Sequence, residues 1–345
     1  MGFLAKRALS LVFFLILALM PAHGLSREVN WPVIRPTGIL LVYPGTTSWE
    51  FVLSDDHRLG SGAIKRNMSK DCRHCHLSKE GELDMKVDEI ASGEMRMKLS
   101  HKPFEPEPIA GKKGTMHAGI QAAYDDEFVY LKIQWNSVGT GWRSEERPDR
   151  VSLQVNKENP AFAKYGCFIT CHNDLNTMPS SPSGDEVRSD PYYKPLERDD
   201  VRLYAYYTRD AWNKRKGTKE LDEKLATGLI DLWSVELTSG SARPHDGWIF
   251  DDRRWEKETE VEASGEWAAG RYTVVIKRKL APGGRYNIDI KDGDVITVGL
   301  AIHDDGVEKR KHYVSFPFTI GLGTEADVRA VDTFLTGQRI LNQQT

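Results

Sequence analysis

The densest piece of chemistry in the chain is Cys72-Arg73-His74-Cys75-His76. Two thiols separated by two residues, with an imidazole directly after the second, form the c-type haem attachment pattern: each thiol reaches one vinyl group and the histidine ligates the iron. A second cluster, Cys167-Phe168-Ile169-Thr170-Cys171-His172, has one more residue between its thiols and keeps the histidine in place. The chain has 4 cysteines, and all of them fall in these two units. The sequence therefore predicts two covalently bound c-type haems on Cys72, Cys75, Cys167 and Cys171, with His76 and His172 as proximal iron ligands.

Other chemistries use the same residue types. Two cysteine pairs can build a tetrahedral zinc site, but Cys75 and Cys167 lie far apart, and such a site does not require a histidine after both pairs. Two local disulfides or a redox-active thiol pair are the remaining alternatives. His74, between the thiols of the first unit, is expected to point away from the iron into solvent.

The sixth ligand decides between electron transfer and ligand chemistry. Outside the leader and the two units the histidines are His57, His101, His117, His245, His303 and His312. His57, in Asp55-Asp56-His57-Arg58-Leu59-Gly60, precedes Cys72 by fifteen residues and is the preferred distal ligand of the first haem. His101, after Met95-Arg96-Met97-Lys98, is an alternative. Met178, six residues beyond His172, and the pair Met116 and His117, which opens an expected strand, are candidates for the second haem.

These residues need elements to position them. Lys6 and Arg7, the apolar run Ala8 to Met20 and the small-residue exit Ala22-His23-Gly24 read as a signal peptide over residues 1–24, which implies export to the periplasm. An uncleaved N-terminal anchor is the alternative, and no membrane span is expected in the mature chain. Lys+Arg 47 against Asp+Glu 50 gives a formal charge of -3, so no basic field recruits nucleic acid. The 345 residues, 40% hydrophobic, hold ample core for a globular protein.

Residues 25–110 show little periodicity and end in Pro103-Phe104-Glu105-Pro106-Glu107-Pro108, an extended connector. They read as a loop-rich c-type haem segment. Residues 111–325 read as an antiparallel β-sandwich holding the second unit, for a fold that is mainly β. Gly119–Tyr124 and Phe128–Trp135 flank the acidic turn Asp125-Asp126-Glu127 as a hairpin. Further strands are expected at Val151–Val155, Val201–Tyr207, Leu229–Leu237, Tyr272–Lys279, Val295–His303 and His312–Phe318. Helices are expected at Ala161–Tyr165, Thr218–Ala226 and Glu325–Leu341, the last within a helical tail over 326–345. No phosphate loop, nucleotide fingerprint or nucleophilic triad signature is visible.

Several stretches in order resemble the haem-binding domain family that includes cytochrome c-552 and the haem subunit of ethylbenzene dehydrogenase and related molybdoenzymes. They are Gly119 to Leu131, Asp149-Arg150-Val151, Gly166 to His172, Ile230-Asp231-Leu232-Trp233 and Tyr313-Val314-Ser315-Phe316-Pro317. The resemblance spans residues 105 to 325. It implies a β-sandwich that holds one haem near a sheet edge and exchanges electrons with a partner enzyme. The ethylbenzene dehydrogenase type holds its haem non-covalently by Met and Lys. Here a covalent unit lies within the domain, so those two ligands are not carried over to any position.

The expectation is a dihaem cytochrome that relays electrons and is not itself an enzyme. Its partners would be a membrane quinol-oxidising cytochrome and a periplasmic molybdoenzyme or similar terminal enzyme. A dihaem peroxidase is the rival from another class, although that family is largely helical; a haem-based gas or redox sensor is the third reading.

Overall fold

The computed structural model describes residues 29–43, 71–92, 94, 113–137, 148–170, 183–189, 194, 205–211, 214–304 and 312–333. The expected leader, His57, His101, Cys171, His172 and Met178 lie outside the described residues. The chain divides into two compact units, Met1–Asn30 and Trp31–Thr345.

The strands are β1 (Thr37–Val42), β2 (Thr115–Tyr124), β3 (Phe128–Asn136), β4 (Asp149–Asn156), β5 (Arg209–Ala211), β6 (Lys214–Arg215), β7 (Ile230–Thr238), β8 (Ser241–Ile249), β9 (Arg253–Trp255), β10 (Val261–Ala268), β11 (Arg271–Lys279), β12 (Val295–His303), β13 (Tyr313–Ser315), β14 (Phe318–Leu322) and β15 (Val328–Asp332). Between them lie helices α1 (Cys72–His76), α2 (Val87–Ser92), α3 (Pro160–Tyr165), α4 (Gly184–Ser189) and α5 (Thr218–Gly228). The long path of the 13-stranded sheet runs β10-β11-β3-β2-β1-β13-β12-β4-β7-β8-β9, and β5 pairs with β6 apart from it. All pairings on that path are antiparallel, whereas β15 pairs in parallel with β14 and β2. Since β14 also pairs with β12, the path closes through β2, β1, β13, β12, β14 and β15.

Local chemistry sets the hairpins. At the β2–β3 turn the Asp125 carboxylate accepts the backbone N–H groups of Glu127 and Phe128 at 2.9 and 2.7 Å, an Asx turn that closes the acidic connection. The β10–β11 turn places Ala269 and Gly270 at φ 51° and 78°, the left-handed pair that a two-residue hairpin needs.

Side chains alternate across each strand. On β12 the set Ile296, Val298, Leu300 and Ile302 enters the main core between the two layers of the sandwich, together with Leu131, Ile133, Val274 and Ile276 from β3 and β11. Polar ties cross this core. Arg278 of β11 donates to Asp231 of β7, and both side chains are fully buried. Tyr272 of β11 donates to Asp149 of β4. Trp135 of β3 donates through Nε1 to Asp304, just past β12, at 3.1 Å.

The fold is the expected antiparallel β-sandwich, and several of its elements differ from the expected ones. Residues 328–332 form β15 rather than the start of a C-terminal helix, because Val328 and Ala330 are buried on alternate positions against β14 and β2. Tyr206–Thr208 is a 3-10 turn where a strand was expected to finish. The β1 strand, from the expected loop-rich segment, sits mid-sheet between β2 and β13, so that segment is woven into the sandwich.

Candidate haem-attachment site

The outer face of the layer containing β1, β13, β12 and β7 carries a second apolar cluster. It includes Val42, Phe162, Tyr165, Phe168, Ile169 and Phe316, with Cys72 and Leu77 packed against it. Both cysteine motifs converge on this cluster.

The first motif is a single capped turn of helix. Asp71 is its N-cap: the Asp71 carboxylate accepts the His74 backbone N–H at 3.1 Å, and the Asp71 backbone N–H donates to His74 Nδ1 at 3.3 Å. Burial acts to raise the Asp71 carboxyl, but the hydrogen bonds from His74 and the charge of Arg73 outweigh it and hold it below its usual range. His74 is thus exposed, as expected, and also closes the capping box. Helical spacing puts Cys72, Cys75 and His76 on one side of the turn. Behind it, Leu77 bridges Leu83, and the His76 carbonyl accepts from the Asp84 N–H at 2.9 Å, which fixes the backbone on which the imidazole stands. Arg73 donates to Asp327 at 3.1 Å and ties α1 to the β14–β15 loop.

The second motif begins where α3 breaks. Asn159 caps α3, its side-chain oxygen accepting from the N–H groups of Ala161 and Phe162 at 2.9 and 3.1 Å. Gly166 ends it at φ 55°, and a Cβ there would lie 3.2 Å from Pro317, so both conformation and space ask for glycine. Cys167 then lies on β12, where a Cβ on Gly299 would come within 2.4 Å of Cys167 Sγ. Thr170 holds the turn through its hydroxyl, which donates to Gln154 of β4.

The motifs meet directly. The Cys72 thiol donates to the Lys164 carbonyl at 3.4 Å, three residues before Cys167. The His76 ring lies parallel to Phe316 at 6.4 Å, and Phe316 packs on Phe168 at 6.2 Å. Burial pushes the thiols of both Cys72 and Cys167 up to about 12. Among the described residues, no group of three or more His, Cys, Asp or Glu is arranged to hold a metal ion.

The sequence placed Met116 and His117 together as candidates for the second haem, and the structure separates them. Met116 pairs with Leu41 and packs against the main core, turned away from the motifs. His117 pairs with Leu40 and stands exposed on the opposite, outer face. Phe316 entered the sequence reading only within the stretch Tyr313–Pro317, and Gly299 and Asn159 were not singled out, because a core phenylalanine, a strand glycine and a cap carry no chemical signature of their own.

The family described as ethylbenzene dehydrogenase matches residues 94–315. The chain belongs to that family. Cytochrome c-552 of Stutzerimonas stutzeri is 26% identical over 316 residues, covering 89% of this chain and 93% of that protein. Cytochrome c-551 of Rhodocyclus tenuis is 22% identical over 298 residues, covering 85% of this chain and 95% of that protein. A carbohydrate-binding module of family 9 from Caldicellulosiruptor kristjanssonii, solved with glucose, aligns at a TM-score of 0.26 and 8% identity over 58% of this chain and 66% of that chain.

Proposed function

We propose that the chain is a c-type cytochrome with two covalent haems, one on Cys72, Cys75 and His76 and one on Cys167, Cys171 and His172, and that it relays electrons rather than catalysing a reaction. Similarity over most of its length to two cytochromes c supports the haem role. The observation that carries the dihaem relay is the shared cluster: His76 and Phe168 contact one ring, Phe316, from the two motifs.

Bound haem supplies reversible one-electron chemistry at its iron. The chain's own residues do the rest. Cys72 and Cys75 project from one side of a turn whose cap and hairpin fix its orientation, and His76 is held against Phe316. Cys167 is seated on Gly299 by the Asn159 cap, the Gly166 break and the Thr170–Gln154 bond. The apolar cluster around Phe316 excludes water between the motifs, lowering the dielectric there. The leader-like start supports a periplasmic location, where the partners would be a quinol-oxidising membrane cytochrome on one side and a terminal redox enzyme such as a molybdoenzyme on the other. Among the described residues no helix is long and apolar enough to cross a membrane.

A potentiometric titration of the purified full chain, followed optically, tests the relay. Two one-electron steps with low-spin spectra throughout are expected. A high-spin resting iron that binds peroxide and turns it over with a reduced cytochrome donor would overturn it.

A further inference from the structure

On the outer face of the β1–β2 ladder an imidazole stands beside an open pair of glycines. In the β1–β2 ladder, Gly38 pairs with Gly119 and Leu40 pairs with His117. By alternation these four positions share the face that also carries Val42 of the motif cluster. A Cβ on Gly38 would meet nothing within 4 Å, and one on Gly119 only Pro36 at 3.7 Å. Paired glycines in neighbouring strand interiors forgo side-chain packing, and such positions recur where a ligand must come close to the backbone. Neither glycine has a positive φ, so conformation does not account for them.

The ladder also fixes what lies beside these glycines. Leu41 pairs with Ser315 and Val42 with Val314, so the same register brings Phe316 beside Leu40. Phe316, Leu40 and His117 therefore form a row across three adjacent chain segments. At strand spacing, His117 stands about 10 Å from Phe316. His76 lies over the Phe316 end of that row. The row thus has an imidazole at each end and Leu40 between them, and the open glycine pair lies beside it, two residues along β1 and β2.

We propose that His117 is the sixth ligand of the iron whose fifth ligand is His76, and that Gly38 and Gly119 form the floor on which that porphyrin rests. This rests on haem attachment at Cys72 and Cys75. It assigns to β2 a role that the sequence gave first to His57 and, for His117, to the other haem. His117 is exposed, with no packing role in the main core, so its replacement leaves the sandwich intact.

The test uses the full chain matured with both haems. Peptide masses first establish whether haem is attached at Cys72–Cys75; its absence in the wild type defeats the attachment reading itself, and the ligand assignment with it. With attachment confirmed, His117→Ala is expected to convert one of the two irons from low to high spin by electron paramagnetic resonance, and added imidazole to restore it. The lost signal should be the one also missing from a Cys72→Ser, Cys75→Ser variant. His117→Met should stay low spin and titrate at a higher potential, because thioether ligation favours the reduced iron. Gly119→Leu should reproduce the high-spin shift with His117 in place. Two low-spin irons in fully loaded His117→Ala, or loss of the other haem's signal, would overturn the assignment.

Discussion

Phe316 is the contact on which the account of two neighbouring haems depends, and replacing it has a calculable cost. It is 6% exposed and touches His76 at 6.4 Å and Phe168 at 6.2 Å. Truncating a buried phenylalanine to alanine costs about 3–5 kcal/mol. Phe316→Leu keeps most of the apolar volume and loses chiefly the two ring contacts; at about 0.5–1.5 kcal/mol for each pair, the loss is about 1–3 kcal/mol. Since each 1.4 kcal/mol is a factor of ten, that is a roughly five- to hundred-fold smaller folding constant, readable in urea denaturation. The redox signature is the sharper part. Loosening the cluster admits water beside both motifs, and better solvation favours the oxidised, more highly charged iron. Both midpoint potentials of Phe316→Leu should therefore fall in a potentiometric titration. If only one midpoint moves, or neither does, Phe316 does not lie between two haems and the reasoning fails.

Two further perturbations test other parts of the structure. In Gly299→Val the new Cβ would lie 2.4 Å from Cys167 Sγ and 3.2 Å from its backbone nitrogen; overpacking of this kind costs about 1–3 kcal/mol. The haem at the second motif should become substoichiometric while the first stays full, with equal loading by peptide mass as the refuting result. Arg278→Met removes the cation beside Asp231, and breaking a buried pair this way costs about 3–5 kcal/mol. Burial raises the Asp231 carboxyl from its ordinary 3.8 to about 7 despite the pull of Arg278. Between those values the folded chain holds a proton that the unfolded chain has released, so this group makes stability fall as pH rises through that window. Without Arg278 the window extends upward. The variant's deficit in urea denaturation should accordingly be larger at pH 8 than at pH 5, and equal deficits would contradict the pairing.

How much of this was legible in the sequence depended on whether a residue's chemistry was local. The attachment motifs were visible because thiol and imidazole spacing is dictated by the cofactor rather than by the fold. The β2–β3 hairpin was readable because Asp125 closes its own turn. By contrast, β8 contains Pro244 and Gly247 and was not among the expected strands. Its strand conformation comes from pairing with β7 along its whole length, a tertiary effect. The end of the chain misled in the same way: Val328-Arg329-Ala330-Val331 has helix formers in it, but burial of alternate residues against β14 and β2 makes it a strand. For the site, no local pattern says that Phe316 falls beside Leu40 or that Cys167 needs Gly299, since both follow from strand register. The split between Met116 and His117 is the clearest case, because two neighbours in a strand must face opposite ways.

Attachment of two haems is the central claim, and an intact mass with a pyridine haemochrome spectrum, taken on the full chain expressed with haem-attachment machinery, tests it most directly. The account predicts the mass of the polypeptide plus two haems and a c-type spectrum of matching stoichiometry. A mass carrying one haem would contradict the assignment of the Cys167 to His172 unit, and a mass carrying none would contradict the account as a whole.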